Sequence, residues 1–323
     1  MELRDRSGRK ISYLRLSVTD RCNQRCIYCM PEKGIEFASR ENILTLEELA
    51  GLALRFVILF AIDKIRLTGG EPLVRKNIEV LVEILSGVPS LKDIALTTNG
   101  SLLGSMAERL REAGLRRINV SLDSLDPSRY AYITGGGRLE DTLVGLKAAR
   151  AAGFDPIKIN TVLVPDFREE VELVEWANRE GFIIRFIELM PHARGVEPPI
   201  KLEGPKEDEI LSRLEKRFGN ARMVSSSSDG QGKTSRRYEI DGGNMIFEMI
   251  PGVTVPFCGD CNRIRLDCQG ALRACLYSRE KLDLKPFLTA RDEDFVKVLT
   301  EFIEMRTGRV LEHIGSDMSS IGG

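Results

Sequence analysis

The chain has 323 residues, 42% apolar and 29% charged, and its 47 Lys and Arg nearly balance 48 Asp and Glu, leaving a net charge of −1. That length suggests about two domains, and the composition excludes a small disulfide scaffold and a disordered or fibrous chain. With so little net charge no global field draws the chain toward nucleic acid or a membrane surface, so any anion site must be local.

The charged start, MELRDRSGRK, has no apolar signal segment and points to the cytoplasm. A strand at Ile11–Val18 runs into a loop carrying Cys22, Cys26 and Cys29. Next comes a helix at Leu46–Leu59, whose apolar run is broken by Arg55 and is shorter than the roughly 18 to 20 residues of a membrane span. Strands then follow at Lys64–Thr68, Asp93–Thr97, Arg117–Leu122, Ile157–Val164 and Ile183–Leu189, by their β-branched and apolar runs. Helices at Asn77–Leu85, Met106–Ala113, Leu139–Ala151 and Glu169–Arg179 lie between them, several ending near Gly114, Gly153 and Gly181. Such alternation requires parallel strands with right-handed crossovers. The unusual residues fall at strand ends: the cysteine loop, Gly69-Gly70-Glu71-Pro72, Thr97-Thr98-Asn99, Ser121-Leu122-Asp123 and Met190. Barrel enzymes place their chemistry on that rim, so the expected fold is α/β, a partial (βα)6 TIM-type barrel with a C-terminal α+β extension. The pattern changes near 190–205, dividing the chain into residues 1–200 and 201–323. The tail should add antiparallel strands and end in helices near Lys285–Leu288 and Glu293–Met305. Segments 192–205 and 225–235 read as mobile.

Seven cysteines form two knots with none between them. In a reducing cytosol such thiols suit metal binding or catalysis better than disulfides. Two histidines, His192 and His313, leave most zinc motifs and His-based triads without parts. The first knot, CNQRCIYC, offers three thiolates and no fourth ligand nearby. That is incomplete for structural zinc, but three thiolates hold three irons of a 4Fe-4S cube and leave one iron open to a non-protein ligand. In the second knot, FCGDCNRIRLDCQGALRAC, a turn at Gln269-Gly270 folds Cys275 back toward Cys258 and Cys261. Strand alternation puts Arg263, Arg265 and Asp267 on one face and Ile264, Leu266 and Cys268 on the other. The expected ligands are therefore Cys258, Cys261 and Cys275, with Cys268 packing and a second 4Fe-4S cluster at the site. The alternative is a four-cysteine zinc site, although the spacing lacks the second C-x2-C of a zinc ribbon.

C-x3-C-x2-C with Tyr28 before its last cysteine resembles the signature of radical S-adenosylmethionine enzymes. The resemblance implies that S-adenosylmethionine chelates the open iron, and that one electron cleaves it to a 5′-deoxyadenosyl radical which abstracts hydrogen. It assigns cofactor contacts to Tyr28, Gly70, Ser121 and Met190. LRLSVTDRCNQRCIYCMP, IRLTGGEPLVR, TTNG, LRRINVSLDSL and the CxxCNRIRL hairpin resemble, end to end, the GTP 3′,8-cyclase (MoaA) family of molybdenum cofactor biosynthesis. That resemblance implies GTP as substrate, a lyase reaction by 3′ hydrogen abstraction and C3′–C8 bond formation, and substrate contacts from Arg15, Arg66, Thr97, Lys158, Arg263 and Arg265. Arg15 and Arg66 also stand out unaided, since a charge inside an apolar strand asks for a compensating anion. The terminal Gly322 and Gly323 match a tail that reaches into the family's active site. A reducing electron donor and, by analogy, the downstream pyranopterin synthase are the implied partners; no nucleic acid or membrane is, and a homodimer stays open. Two rivals are a radical enzyme acting on a peptide and a zinc-stabilised RNA-binding module. The second lacks interleaved basic and aromatic residues.

Overall fold

The computed structural model describes residues 1–30, 36–190, 203–227, 234–243, 245–276, 278 and 280–306. Its first part runs β1 (Tyr13–Ser17), α1 (Leu46–Phe60), β2 (Lys64–Thr68), α2 (Ile78–Ser86), β3 (Asp93–Thr98), α3 (Leu103–Glu112), β4 (Arg117–Ser121), α4 (Pro127–Thr134), α5 (Leu139–Ala151), β5 (Lys158–Leu163), α6 (Glu170–Arg179) and β6 (Ile183–Glu188). The six strands pair in parallel in chain order. Local chemistry sets the helix ends. Thr45 caps α1 by accepting from the Glu48 amide at 3.2 Å, and the Glu48 carboxylate accepts from the Thr45 amide at 2.8 Å, a reciprocal capping box. The sequence reading passed over α4, a short helix whose markers are nonetheless present: Asp126 caps it, Pro127 opens it and Gly135 ends it in the left-handed region.

The second part comprises α7 (Glu207–Phe218), β7 (Ala221–Ser227), β8 (Ser235–Ile240), β9 (Met245–Ile250), β10 (Arg263–Leu266), β11 (Ala271–Arg273), β12 (Leu282–Asp283) and α8 (Asp292–Glu304). The helix expected near Lys285–Leu288 is a single 3-10 turn, Lys285–Phe287. Most of segment 192–205 lies outside the described residues, as do 228–233. Among the described residues, twelve strands form one sheet in the order β12-β11-β10-β1-β2-β3-β4-β5-β6-β9-β8-β7. The C-terminal strands thus add to both edges of the parallel sheet. β10 joins β1 in parallel and starts an antiparallel run with β11 and β12, and β9, the last strand of the antiparallel set β7-β8-β9, joins β6 in parallel. Residues from both wings line one cavity, so the sheet curves around it as a partial barrel.

Alternation positions that cavity. Leu14, Leu16, Ile65, Leu67, Ile94, Leu96, Ile118, Val120, Ile159, Ile184 and Phe186 are buried in the core, each stabilising the fold by about 1.5–3 kcal/mol. The intervening positions, Arg15, Arg66, Thr97, Asn119, Ser121, Asn160 and Arg185, line the cavity instead. Parallel strands covered on both faces usually read as unbroken apolar runs; here only one face does. On the outside α8 packs on α1, with Phe295 against Phe56 and Phe60 at centroid distances of 5.6 and 6.1 Å. Among the described residues no helix is long and apolar enough to cross a membrane.

Candidate active site

The cavity has a volume of about 380 Å³ and is lined by all six cysteines expected as ligands. Cys268 is absent from the lining and is 1% exposed, in line with the face assigned to it by strand alternation. Among the described residues no three His, Cys, Asp or Glu side chains converge on the point where one ion would sit, so neither trio is arranged as a one-ion cage. A cube places a different demand on the chain, one thiolate for each iron bound, and each trio brings three cysteines to the cavity lining.

The first trio sits in the loop after β1, held between two backbone clamps. On one side the amides of Gly70 and Glu71 donate to the carbonyls of Thr19 and Arg21 at 2.9 and 2.8 Å. A Cβ on Gly70 would lie 2.4 Å from the Arg21 oxygen, so this approach requires glycine. On the other side the amides of Arg25 and Ile27 donate to the carbonyls of Thr134 and Ile133 at the end of α4, at 2.8 and 2.9 Å. Gly135 then turns the chain at φ 65°, and a Cβ there would lie 2.6 Å from the Arg25 carbonyl oxygen. The loop is fixed by backbone from both flanks.

Carboxylates surround this end. Glu71 accepts from the Thr98 hydroxyl at 2.7 Å, the Asn99 amide at 2.7 Å and the Leu73 amide at 3.0 Å; burial pushes it up to about 7 against the pull of those bonds. The Tyr28 hydroxyl donates to Asp123 at 2.6 Å, and the Val162 amide donates to the other oxygen at 2.8 Å. Burial raises Asp123 to about 6, opposed by the Tyr28 bond. The thiols follow the same physics: burial, with Glu71 adding, raises Cys22 to about 11, and burial with Cys29 and Asp123 carries Cys26 well above the ordinary thiol value. Such a site disfavours bare thiolates and favours a bound cation or metal.

The opposite end is cationic. The parallel registers set Arg265, Arg15 and Arg66 side by side on β10, β1 and β2. Burial lowers Arg15 well below the usual arginine range, with Arg265 as the next contribution; burial lowers Arg265 to about 10, reinforced by Arg263. Arg66 donates from Nε to the Tyr13 hydroxyl and from Nη1 to Thr97 at 3.3 Å. Arg263 lies 4.7 Å above the Phe257 ring. Beside these cations Cys261 falls to about 7: burial raises it, but Arg263 and Arg306 together outweigh burial.

Of the residues expected from sequence, Tyr28, Gly70, Ser121, Met190, Arg15, Arg66, Thr97, Arg263 and Arg265 all line the cavity with the six cysteines. Lys158 does not. Its ammonium is 3.1 Å from Glu248, which Arg185 also engages at 2.6 Å, and Arg185 takes the place on the lining. Strand alternation sees a lysine on the inner face but not the Glu248 that meets it across the sheet. Gly322 and Gly323 lie outside the described residues. Sequence reasoning also missed Glu188, buried at the end of β6. Glu188 accepts from the Val253 and Thr254 amides at 3.0 and 2.9 Å, the Thr254 hydroxyl at 2.6 Å and the Glu207 amide at 3.2 Å. It thereby ties β6 to the segment leading into Cys258. The available signal was a lone acid closing an apolar strand.

Residues 16–177 match the model of the Radical SAM superfamily, and residues 182–311 match Molybdenum Cofactor Synthesis C. The chain is 42% identical to a GTP 3′,8-cyclase of Peptoclostridium acidaminophilum over 99% of its own length and 98% of that protein's. It is 43% identical to a GTP 3′,8-cyclase of Ectopseudomonas mendocina, covering 98% of this chain and 95% of that one. Its fold is similar to the crystal structure of Streptococcus suis SuiB bound to S-adenosylmethionine, with a TM-score of 0.61 at 14% identity over 88% of this chain and 65% of that one.

Proposed function

We infer the chemistry of the cavity from one premise: the chain belongs to the GTP 3′,8-cyclase family of the radical SAM superfamily, and GTP cyclisation in molybdenum cofactor biosynthesis is its reaction. The observation that carries the residue assignments is the sorting of charge in one cavity, with carboxylates around Cys22, Cys26 and Cys29 and guanidiniums around Cys258, Cys261 and Cys275. The first trio holds the 4Fe-4S cluster at which S-adenosylmethionine binds, and the second trio holds a further 4Fe-4S cluster beside the substrate. When bound, the first cluster and S-adenosylmethionine supply one-electron cleavage of the sulfonium and removal of the 3′ hydrogen of GTP, from which C3′–C8 bond formation follows.

The chain's own part is to bind, orient and exclude water. Gly70 and Glu71 offer backbone and carboxylate acceptors to a cationic amino acid group, and Tyr28, fixed by Asp123, lies beside them with Ser121 and Met190. Arg15, Arg66, Arg263 and Arg265, with Thr97, receive the triphosphate, since guanidinium forks match phosphate oxygens. Lys158 contributes positive charge from behind the lining, steadied by Glu248. Gly322 and Gly323 complete the site as a tail. A cellular one-electron donor feeds it, and by analogy a pyranopterin-forming enzyme takes its product.

Anaerobic incubation with S-adenosylmethionine, dithionite and either GTP or a peptide tests this reading. 5′-Deoxyadenosine should rise with GTP, on protein carrying about eight irons per chain. A rise with peptide alone would overturn the substrate assignment, and about four irons with one zinc would overturn the second cluster.

A further inference from the structure

Two cations on the cavity wall stand outside the arginine row of the strands. Arg9 lies in the short N-terminal hairpin of Leu3–Arg4 and Lys10–Ile11, and Arg306 follows the end of α8. They share one carboxylate. Arg9 Nε donates to Asp5 Oδ2 at 2.6 Å, and Arg306 Nη1 is 3.6 Å from the same oxygen. The other Asp5 oxygen is taken by the amides of Ser7 and Arg9 at 3.0 and 3.1 Å. The hairpin's own backbone sets this arrangement, the Asp5 amide donating to the Arg9 carbonyl at 3.1 Å and the Gly8 amide to the Asp5 carbonyl at 2.8 Å.

Two guanidiniums against one carboxylate leave a net positive charge in a place almost without water, where the Arg306 side chain is 3% exposed and that of Asp5 0%. Two donors there, Arg9 Nη2 and Arg306 Nη1, have no hydrogen-bond partner among the described residues. A buried cation with idle donors is costly unless an anion faces it. The direction of that anion is marked by two contacts: Arg9 Nη1 donates to the Cys258 carbonyl at 2.5 Å, and Arg306 is close enough to Cys261 for their charges to interact.

We propose that Arg9 and Arg306, held on Asp5, form a positively charged clasp that compensates the iron-sulfur centre bound by Cys258, Cys261 and Cys275 and raises its reduction potential. The inference rests on the second cluster proposed above. Each reduction adds one negative charge to the centre, and a fixed cation beside it in low dielectric stabilises that charge; cluster potentials follow net charge and surroundings in this way. Both arginines act as positioning residues through the centre, whereas the strand arginines face the triphosphate.

The test is a redox titration of the full chain, reconstituted with both clusters and followed by electron paramagnetic resonance, for wild type, Arg306→Gln, Arg306→Lys and Arg9→Gln. The signal that S-adenosylmethionine perturbs marks the first cluster. Arg306→Gln should keep about eight irons, shift the second potential downward and leave the first in place, while Arg306→Lys restores it. Arg9→Gln should move the same potential in the same direction, which keeps the test open if Arg306→Gln does not fold. An unmoved second potential in variants retaining both clusters overturns the clasp. So does weakened GTP binding with an unmoved potential, which would assign the two arginines to the triphosphate. Wild type carrying only about four irons would instead overturn the two-cluster reading, a failure that the iron count separates from an unmoved potential.

Discussion

The two cysteine trios offer the same donors in opposite electrical settings. Cys22, Cys26 and Cys29 lie within eight residues, pinned by backbone hydrogen bonds and close to Glu71 and Asp123, and Cys22 is raised to about 11. Cys258, Cys261 and Cys275 are drawn together by a hairpin and tied to the N-terminus through Arg9, and cations bring Cys261 to about 7. One end of the cavity therefore suits a cationic cofactor and the other a polyanion, although the whole chain carries a charge of −1. Net charge reports on solubility and long-range steering; it says nothing of how charge is sorted within a site.

Removing one cysteine from each trio gives the largest effects and separates their roles. Cys26→Ala should end 5′-deoxyadenosine formation altogether, whereas Cys258→Ala should leave about four irons and cofactor cleavage but no cyclised nucleotide. Iron analysis with chromatography of both products reads the two outcomes, and identical losses would erase the distinction. Next, Arg66→Ala should raise the KM for GTP by about 10- to 100-fold, as expected for loss of a charge-assisted bond of about 1.5–3 kcal/mol, with unchanged binding of S-adenosylmethionine by calorimetry. A weakened cofactor site would show that the two ends are not separate.

The carboxylates of the first end give a pH signature. Burial holds Glu71 at about 7 and Asp123 at about 6, above their values in the unfolded chain, so the folded state keeps protons that the unfolded state releases. Without S-adenosylmethionine, the contribution of these two carboxylates to stability should be full below about pH 4 and be lost as pH rises toward 7, by about 3 kcal/mol for each. Urea titrations at pH 5 and 7.5 measure it, and Asp123→Asn should flatten the fall; a variant as steep as wild type would show that this carboxylate does not contribute. The smallest effect belongs to Cys268→Ala, expected to cost about 1 kcal/mol of stability with no loss of iron. Loss of four irons would make Cys268 a ligand.

Much of the barrel could be read from one dimension. The spacing of CNQRCIYC and the rim clusters Gly69–Pro72, Thr97–Asn99 and Ser121–Asp123 are local, and each sits at a strand end that periodicity locates. The same period of two assigned Cys268 to the apolar face of β10. α4 was missed because its apolar pattern is weak, although Asp126, Pro127 and Gly135 mark both its ends.

Sequence alone determined the parallel units, the two cysteine trios and the family resemblance, because these depend on residue types at short, fixed separations. Only the tertiary structure decided that β10 pairs with β1 and β9 with β6, which brings the second trio to the first cavity. It also decided that Lys158 meets Glu248, that Glu188 holds the 253–254 backbone and that Arg9 and Arg306 share Asp5. Those partners are 90, 66 and roughly 300 residues apart in the most separated pairings. No repeat or spacing encodes such contacts; they arise because burying the apolar faces closes the sheet and leaves the remaining charges to find one another.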